Sequence, residues 1–344
     1  MKRSSTSLGL IIAVVSAATF GMSGAFIKPL LEAGWSPAAA VTVRALIGGI
    51  VLLPFALFSL RGRWSALWRA RWRVLLMAIV GVAATQLVYF AAIQRIPVGT
   101  GILIEYMAPL LLVAFAWLRS RRMPKVVVLV GSVVALVGLV LVVSPGGSVR
   151  LDVLGLAFAA LSAVGCAVYY VVAARPSDGL PPVALASSGL VIGGVVLGLV
   201  GLTGAVPFVA RLGDVPLFGT VVPWFVPLLI VGVVATAIAY AASITASEML
   251  GSRLASFMGL LEVVAAALYA WAFLGEDLSI PQLIGGVLIL AGIAFVRSEK
   301  TAASLEPDAD IHTASIDTAS TGTVSTETGS IQAGSIETEA IRAT

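Results

Sequence analysis

Arg44, Glu105 and Glu262 stand inside long apolar runs, whereas nearly every other ionisable residue lies in a short segment between runs or in the C-terminal tail. A charge at mid-bilayer costs about 2.5–3.5 kcal/mol on insertion scales, so residues of this kind mark binding sites and ion pathways by default. At helical spacing Glu105 is flanked by Gly101, Ile102, Ala108 and Pro109, and Glu262 by Met258, Gly259, Ala265 and Ala266. Small residues dominate both faces, which leaves room for a ligand or for a tight helix contact. At 1.5 Å per residue, Glu105 lies about 12 Å and Arg44 about 9 Å from the outer ends of their runs, and Glu262 about 13 Å from the inner end of its own. Opposite charges at similar depth predict an Arg44–Glu105 pair, with Glu262 near the centre. The structural alternative has Arg44 reaching outward to water and the two acids serving, protonated, as bonds between helices. Pro109, just beyond Glu105, predicts a kink, and Pro109 and Gly101 are the gating candidates.

The elements that must position these residues are membrane helices. Of the 344 residues, 59% are hydrophobic and 11% charged, with a mean hydropathy of +1.07. A soluble domain carries about a quarter charged residues. The single Cys166 excludes an intrachain disulfide, and the single His312 excludes a histidine metal site. No metal or cofactor is expected. No HExxH, GxSxG or GxxxxGK[ST] pattern occurs, so neither an intramembrane enzyme nor ATP drive within this chain is supported.

Apolar runs fall near 8–29, 38–60, 73–94, 98–118, 125–144, 153–174, 182–203, 221–247, 254–274 and 279–297. A crossing needs about 20 such residues, and backbone satisfaction in lipid makes each a helix. The first run is too long for a signal peptide and is read as a retained helix. With the N-terminus inside, 15 Lys and Arg residues fall in cytoplasmic segments and 4 in outer ones. This bias explains the net charge of +4 without a nucleic-acid partner and predicts cytoplasmic termini. Trp35, Trp64, Trp68, Trp72 and Trp224 read as interface anchors. From about Thr301 the composition turns to Ser, Thr, Ala and acids, the mark of a solvated tail.

Self-similarity divides the runs into two halves. GVAATQLVYFAAI from Gly81 aligns with GVVATAIAYAASI from Gly232, bringing Thr85 onto Thr236 and Tyr89 onto Tyr240. IGGIVL from Ile47 aligns with IGGVVL from Ile192; Trp117, Gly131 and Gly138 align with Trp271, Gly285 and Gly292. Three collinear matches indicate duplication, with halves at 8–144 and 153–297. Five helices per half is an odd number, so the second half enters the membrane inverted, an arrangement that places a site at the repeat interface. Tyr89 and Tyr240 then face each other as walls of a cavity or pack as core.

Phe20-Gly21-Met22-Ser23-Gly24-Ala25-Phe26-Ile27-Lys28, Arg44 in the second helix and Leu274-Gly275-Glu276 after the ninth resemble the EamA branch of the drug/metabolite transporter superfamily over residues 10–297. Phe20 stands where that pattern carries Trp, and Arg119-Ser120-Arg121-Arg122 replaces the first-half counterpart of Leu-Gly-Glu. The stretch from Ala91 to Leu110, with Gln94, Pro97, Gly99, Glu105 and Pro109, is similar to the threonine/homoserine exporters of that family. The resemblance implies an inner-membrane exporter of small amino acids or related metabolites, with Glu105 meeting an ammonium and Arg44 a carboxylate. Two acids in the membrane also admit coupling to proton entry. The other readings are efflux of lipophilic cations or drugs and, in a different class, a passive membrane scaffold.

Overall fold

The structure, a computed structural model, describes residues 2–93, 95–96, 101, 104–121, 125–143, 152–175, 179–274 and 280–303. Among these, seven helices are long and apolar enough to cross a membrane: Thr6–Glu32, Pro37–Ser59, Arg71–Tyr89, Val153–Ala173, Pro182–Leu202, Phe225–Leu250 and Ser252–Phe273. Three shorter apolar helices, Ala108–Ser120, Val126–Leu141 and Leu283–Val296, overlap the fourth, fifth and tenth runs. Gln94, Pro97, Gly99, Gly275, Glu276 and the tail from 304 lie outside the described residues.

Helix starts follow local chemistry. Ser36 caps helix 37–59 by accepting from the Ala39 amide at 3.3 Å, with Pro37 as its first residue. Asp152 caps helix 153–173 through the amides of Leu154 and Gly155, both at 3.3 Å. Each cap satisfies amides that an isolated helix end leaves bare. Helix 182–202 opens with Pro182, whose missing N–H costs nothing there.

Several runs depart from a plain rod. The first is interrupted at Met22, between Lys2–Gly21 and Ser23–Glu32. The ninth is interrupted at Leu260, two residues before Glu262. The third and eighth each contain a π-helical stretch, Met77–Ala84, which ends beside Thr85, and Val233–Ile238, which contains the aligned Thr236. The fourth, expected as a continuous helix over 98–118, turns at Tyr106 and Met107 before helix 108–120 begins. Pro109 sits in the first turn of that helix, so it opens a helix where the sequence suggested a kink inside one.

One end of the bundle carries a hairpin that the apolar pattern did not reveal. Val215–Leu217 pairs antiparallel with Thr220–Val222, and the two-residue turn has positive φ at both Phe218 (49°) and Gly219 (83°). That turn geometry matches the twist of paired strands. The Phe218 ring stacks on Phe273 and meets Phe26 edge-on, each at 5.0 Å. Trp35 is not a lipid-facing anchor: it is buried, stacks on Trp224 at 5.6 Å, and donates its indole N–H to the Arg211 carbonyl at 2.6 Å. Trp64, Trp68 and Trp72 are exposed.

Glycines set the closest helix approaches, and they do so reciprocally. A Cβ on Gly138 would lie 2.6 Å from the Gly285 carbonyl oxygen, and one on Gly292 2.6 Å from the Gly131 carbonyl oxygen. These four are the aligned positions of helices 126–143 and 280–303. Likewise Gly49 meets Val191 while Gly194 meets Leu46, its aligned counterpart. Gly138→Ala must push one backbone off another and should cost about 1–3 kcal/mol. Gly24→Ala, with no atom within 4 Å of the added methyl, should leave stability unchanged or slightly raised. Thermal unfolding in detergent distinguishes them, and equal midpoints would contradict the packing described.

Candidate functional site

Arg44 leaves the middle of helix 37–59 half-buried and ties three helices together. Its guanidinium donates to the Ser23 hydroxyl at 2.8 Å and to the Gln86 side-chain oxygen at 3.3 Å. Ser23 is available because the first helix is interrupted at Met22, and Gln86 follows the π-helical stretch of the third. The expected Arg44–Glu105 ion pair is therefore not formed among the described residues. Glu105 instead interacts with Arg44 and with Glu262 through longer-range electrostatics.

Glu262 lies in the first turn of helix 261–274 and accepts a hydrogen bond from the Tyr106 hydroxyl. The first helix approaches it closely at Gly21, where a Cβ would lie 2.7 Å from the Ala265 Cβ and 2.9 Å from the Glu262 carbonyl oxygen. Phe20, the residue before Gly21, lines one cavity with the acid. Tyr89 is within electrostatic reach of both acids, and Tyr240 of both acids and Arg44. The five residues singled out from sequence thus converge on one region. Pro109 and Gly101 are buried, Pro109 at the helix start that follows Tyr106.

Sequence reading offered Tyr89 and Tyr240 as cavity walls but missed the rings that join Tyr240. Phe20 meets Tyr240 edge-on at 5.1 Å, Tyr240 meets Tyr169 at 5.9 Å, and Tyr169 meets Tyr170 at 5.2 Å. Tyr169 and Tyr170 form a doublet in a helix otherwise built mostly of Ala, Val, Gly and Leu, and that contrast was the available signal. A side chain at Gly259 would collide with the Tyr170 hydroxyl, so this glycine makes the space in which the phenol sits. Glu262, Tyr170 and Phe20 also border a cavity of about 20 Å³. Among the described residues no group of three His, Cys, Asp or Glu is placed to hold a metal ion.

A second polar centre lies where sequence placed only a loop cation. Arg73, counted with the cytoplasmic segments, is buried. It donates to the Val172 carbonyl at 3.0 Å, the Ala173 carbonyl at 3.2 Å and Glu248 at 3.0 Å. The first two acceptors belong to the C-terminal end of helix 153–173, where a cation also opposes the helix dipole. Glu248 lies one residue beyond the eighth run as read from sequence. Together the pair joins the third, sixth and eighth runs.

Comparison with known proteins agrees with this architecture. The sequence model of the EamA-like transporter family matches residues 7–144 and again 153–298. The chain is 24% identical over 303 residues to the uncharacterized inner membrane transporter YicL of Salmonella typhimurium, covering 85% of this chain and 96% of that one. It is 27% identical over 280 residues to an uncharacterized transporter of Archaeoglobus fulgidus, covering 81% and 93%. A solved crystal structure superposes with a TM-score of 0.70 at 20% identity, covering 85% of this chain and 98% of its own, which speaks to the fold alone.

The buried ion pair yields a stability test. Arg73→Ala leaves Glu248 without its cation and two helix-end carbonyls without a donor, a loss of about 2–3 kcal/mol, below that of a fully buried pair because Glu248 is only partly buried. Glu248→Gln keeps an acceptor oxygen and should cost less. Thermal unfolding of the purified variants checks the order, and a greater loss for Glu248→Gln would contradict it.

Proposed function

The chain belongs to the EamA-like transporter family, a multi-pass membrane transporter and not an enzyme, and from that premise we propose that it exports small amino acids or related polar metabolites across the inner membrane. The observation that carries this reading is the gathering of a guanidinium and two carboxylates, Arg44, Glu105 and Glu262, in one aromatic-walled region within the helices. Opposite fixed charges within electrostatic reach suit a zwitterion: the guanidinium takes a carboxylate and the acids take an ammonium. Because Arg44 is held by Ser23 and Gln86 and does not neutralise Glu105, its charge stays available to a ligand.

The architecture proposed for this work is ten crossings, the seven long helices plus the three shorter ones. They form two inverted five-helix halves at 8–144 and 153–297, followed by a solvated tail. The reciprocal glycine contacts and the π-helical stretches, which overlap at the aligned positions, support it. Inverted repeats rocking about a site at their interface give alternating access. The distribution of Lys and Arg supports cytoplasmic termini. The two acids also supply groups that can exchange a proton as the substrate moves, which makes proton entry the proposed coupling.

A second reading rests on the aromatic wall itself. Phe20, Tyr240, Tyr169 and Tyr170 beside two carboxylates are also what a lipophilic cation would favour. Overexpression would then confer resistance to cationic dyes, which an amino-acid exporter would not.

The test is export of labelled threonine from loaded proteoliposomes. Wild type should transport, and Glu105→Gln and Arg44→Ala should each lower the rate at least about tenfold, the scale of one lost charge-assisted bond. An inert wild type would remove the amino-acid reading, and full rates in the variants would remove the site. Collapsing the proton gradient at fixed voltage should slow export, and an unchanged rate would remove the coupling.

A further inference from the structure

The cavity beside Glu262 has a lining that the charge reading does not use. Ser16, Phe20, Tyr170, Ser243, Ser247 and Glu262 border it, and it encloses about 20 Å³. One water-sized group needs about 10–15 Å³ on this measure, so the space takes a single small polar head. The Ser16 hydroxyl donates outward to the Ala239 carbonyl at 3.1 Å, which leaves its oxygen as an acceptor. Ser247 is fully buried, and its hydroxyl has no partner among the described residues. Leaving such a group unmatched costs about 1–3 kcal/mol, and an N–H donor seated among the lining side chains would match it. Glu262 accepts one bond from Tyr106 and keeps further lone pairs.

An ammonium group offers three N–H donors and accepts nothing. The cavity offers the complement, a carboxylate and serine oxygens around a volume of matching size. We propose that this cavity is a subsite for the primary ammonium group of the substrate, and that it excludes quaternary ammonium by size and by chemistry. The proposal deepens the amino-acid reading above and rests on it for direction of transport only. It gives the ammonium's direct hydrogen bonds to Glu262 and the serines, with Glu105, in electrostatic reach of Glu262, supplying the second negative charge. It also separates the two readings of the aromatic wall, because a quaternary cation has four carbons and no N–H to offer Ser16 or Ser247.

The test measures thermal unfolding of the full chain in detergent with methylammonium chloride, tetramethylammonium chloride or sodium chloride at equal concentration. Methylammonium should raise the midpoint in a dose-dependent way above the other two salts. Glu262→Gln and Ser247→Ala should abolish the difference. Ser188→Ala, whose hydroxyl bonds within its own helix to the Ala184 carbonyl at 2.6 Å, should keep it. Ser247→Ala removes a single oxygen, so it tests the subsite even where Glu262→Gln fails to fold. Equal protection by tetramethylammonium overturns the subsite, as does a methylammonium effect that survives in Ser247→Ala. A sodium effect as large as that of methylammonium assigns the cavity to an inorganic cation and overturns it too. Methylammonium protection with no threonine export upholds the subsite while removing the amino-acid reading. Threonine export with no methylammonium effect does the reverse.

Discussion

Burying charge in a bilayer is the constraint around which this protein is organised. Each of its internal ions stays because other groups surround it, and those groups come from helices far apart in sequence. Arg44 draws on Ser23 and Gln86, and Arg73 on two helix-end carbonyls and Glu248. The backbone gives way where it must. Interruptions at Met22 and Leu260 and the turn at Tyr106–Met107 all fall within a few residues of a charged group or its hydrogen-bonding partner. Departures from regular helix at such positions are where membrane proteins expose backbone and side-chain polarity to a ligand.

The two polar centres differ in how they are satisfied, and the roles proposed for them follow that difference. Arg73 and Glu248 bond directly to each other, so their charges are spent on holding three helices together. Arg44, Glu105 and Glu262 share a region without a direct ion pair among the described residues. Tyrosines, serines and small residues fill the remaining space. That arrangement is what the proposed transport site requires, since charges not spent on each other can be met by a third party.

Membrane helices were legible in the sequence because lipid demands length and apolarity, two properties that add up along the chain. The self-similarity that suggested two halves includes glycines at close helix approaches, where an added side chain would clash, as Gly131, Gly138 and Gly292 show. Arg44, Glu105 and Glu262 stood out because a charge in an apolar run is conspicuous. Partners were not legible, because they depend on which helices meet. Arg73 looked like an ordinary loop cation since its acceptors lie about a hundred residues or more away in sequence, and Trp35 looked like an anchor since nothing local reveals the ring of Trp224. The π-helical stretches and the 215–222 hairpin carry too little periodic pattern to be read from composition.

The central claim is that fixed charges of opposite sign read the two ends of a zwitterion. Equilibrium binding to the purified protein tests it most directly, comparing threonine with its N-acetyl and methyl-ester derivatives, each of which removes one charge. The account predicts that either derivative binds at least about tenfold more weakly than threonine, the loss expected for one charge-assisted bond. Derivatives that bind as well as threonine would contradict it.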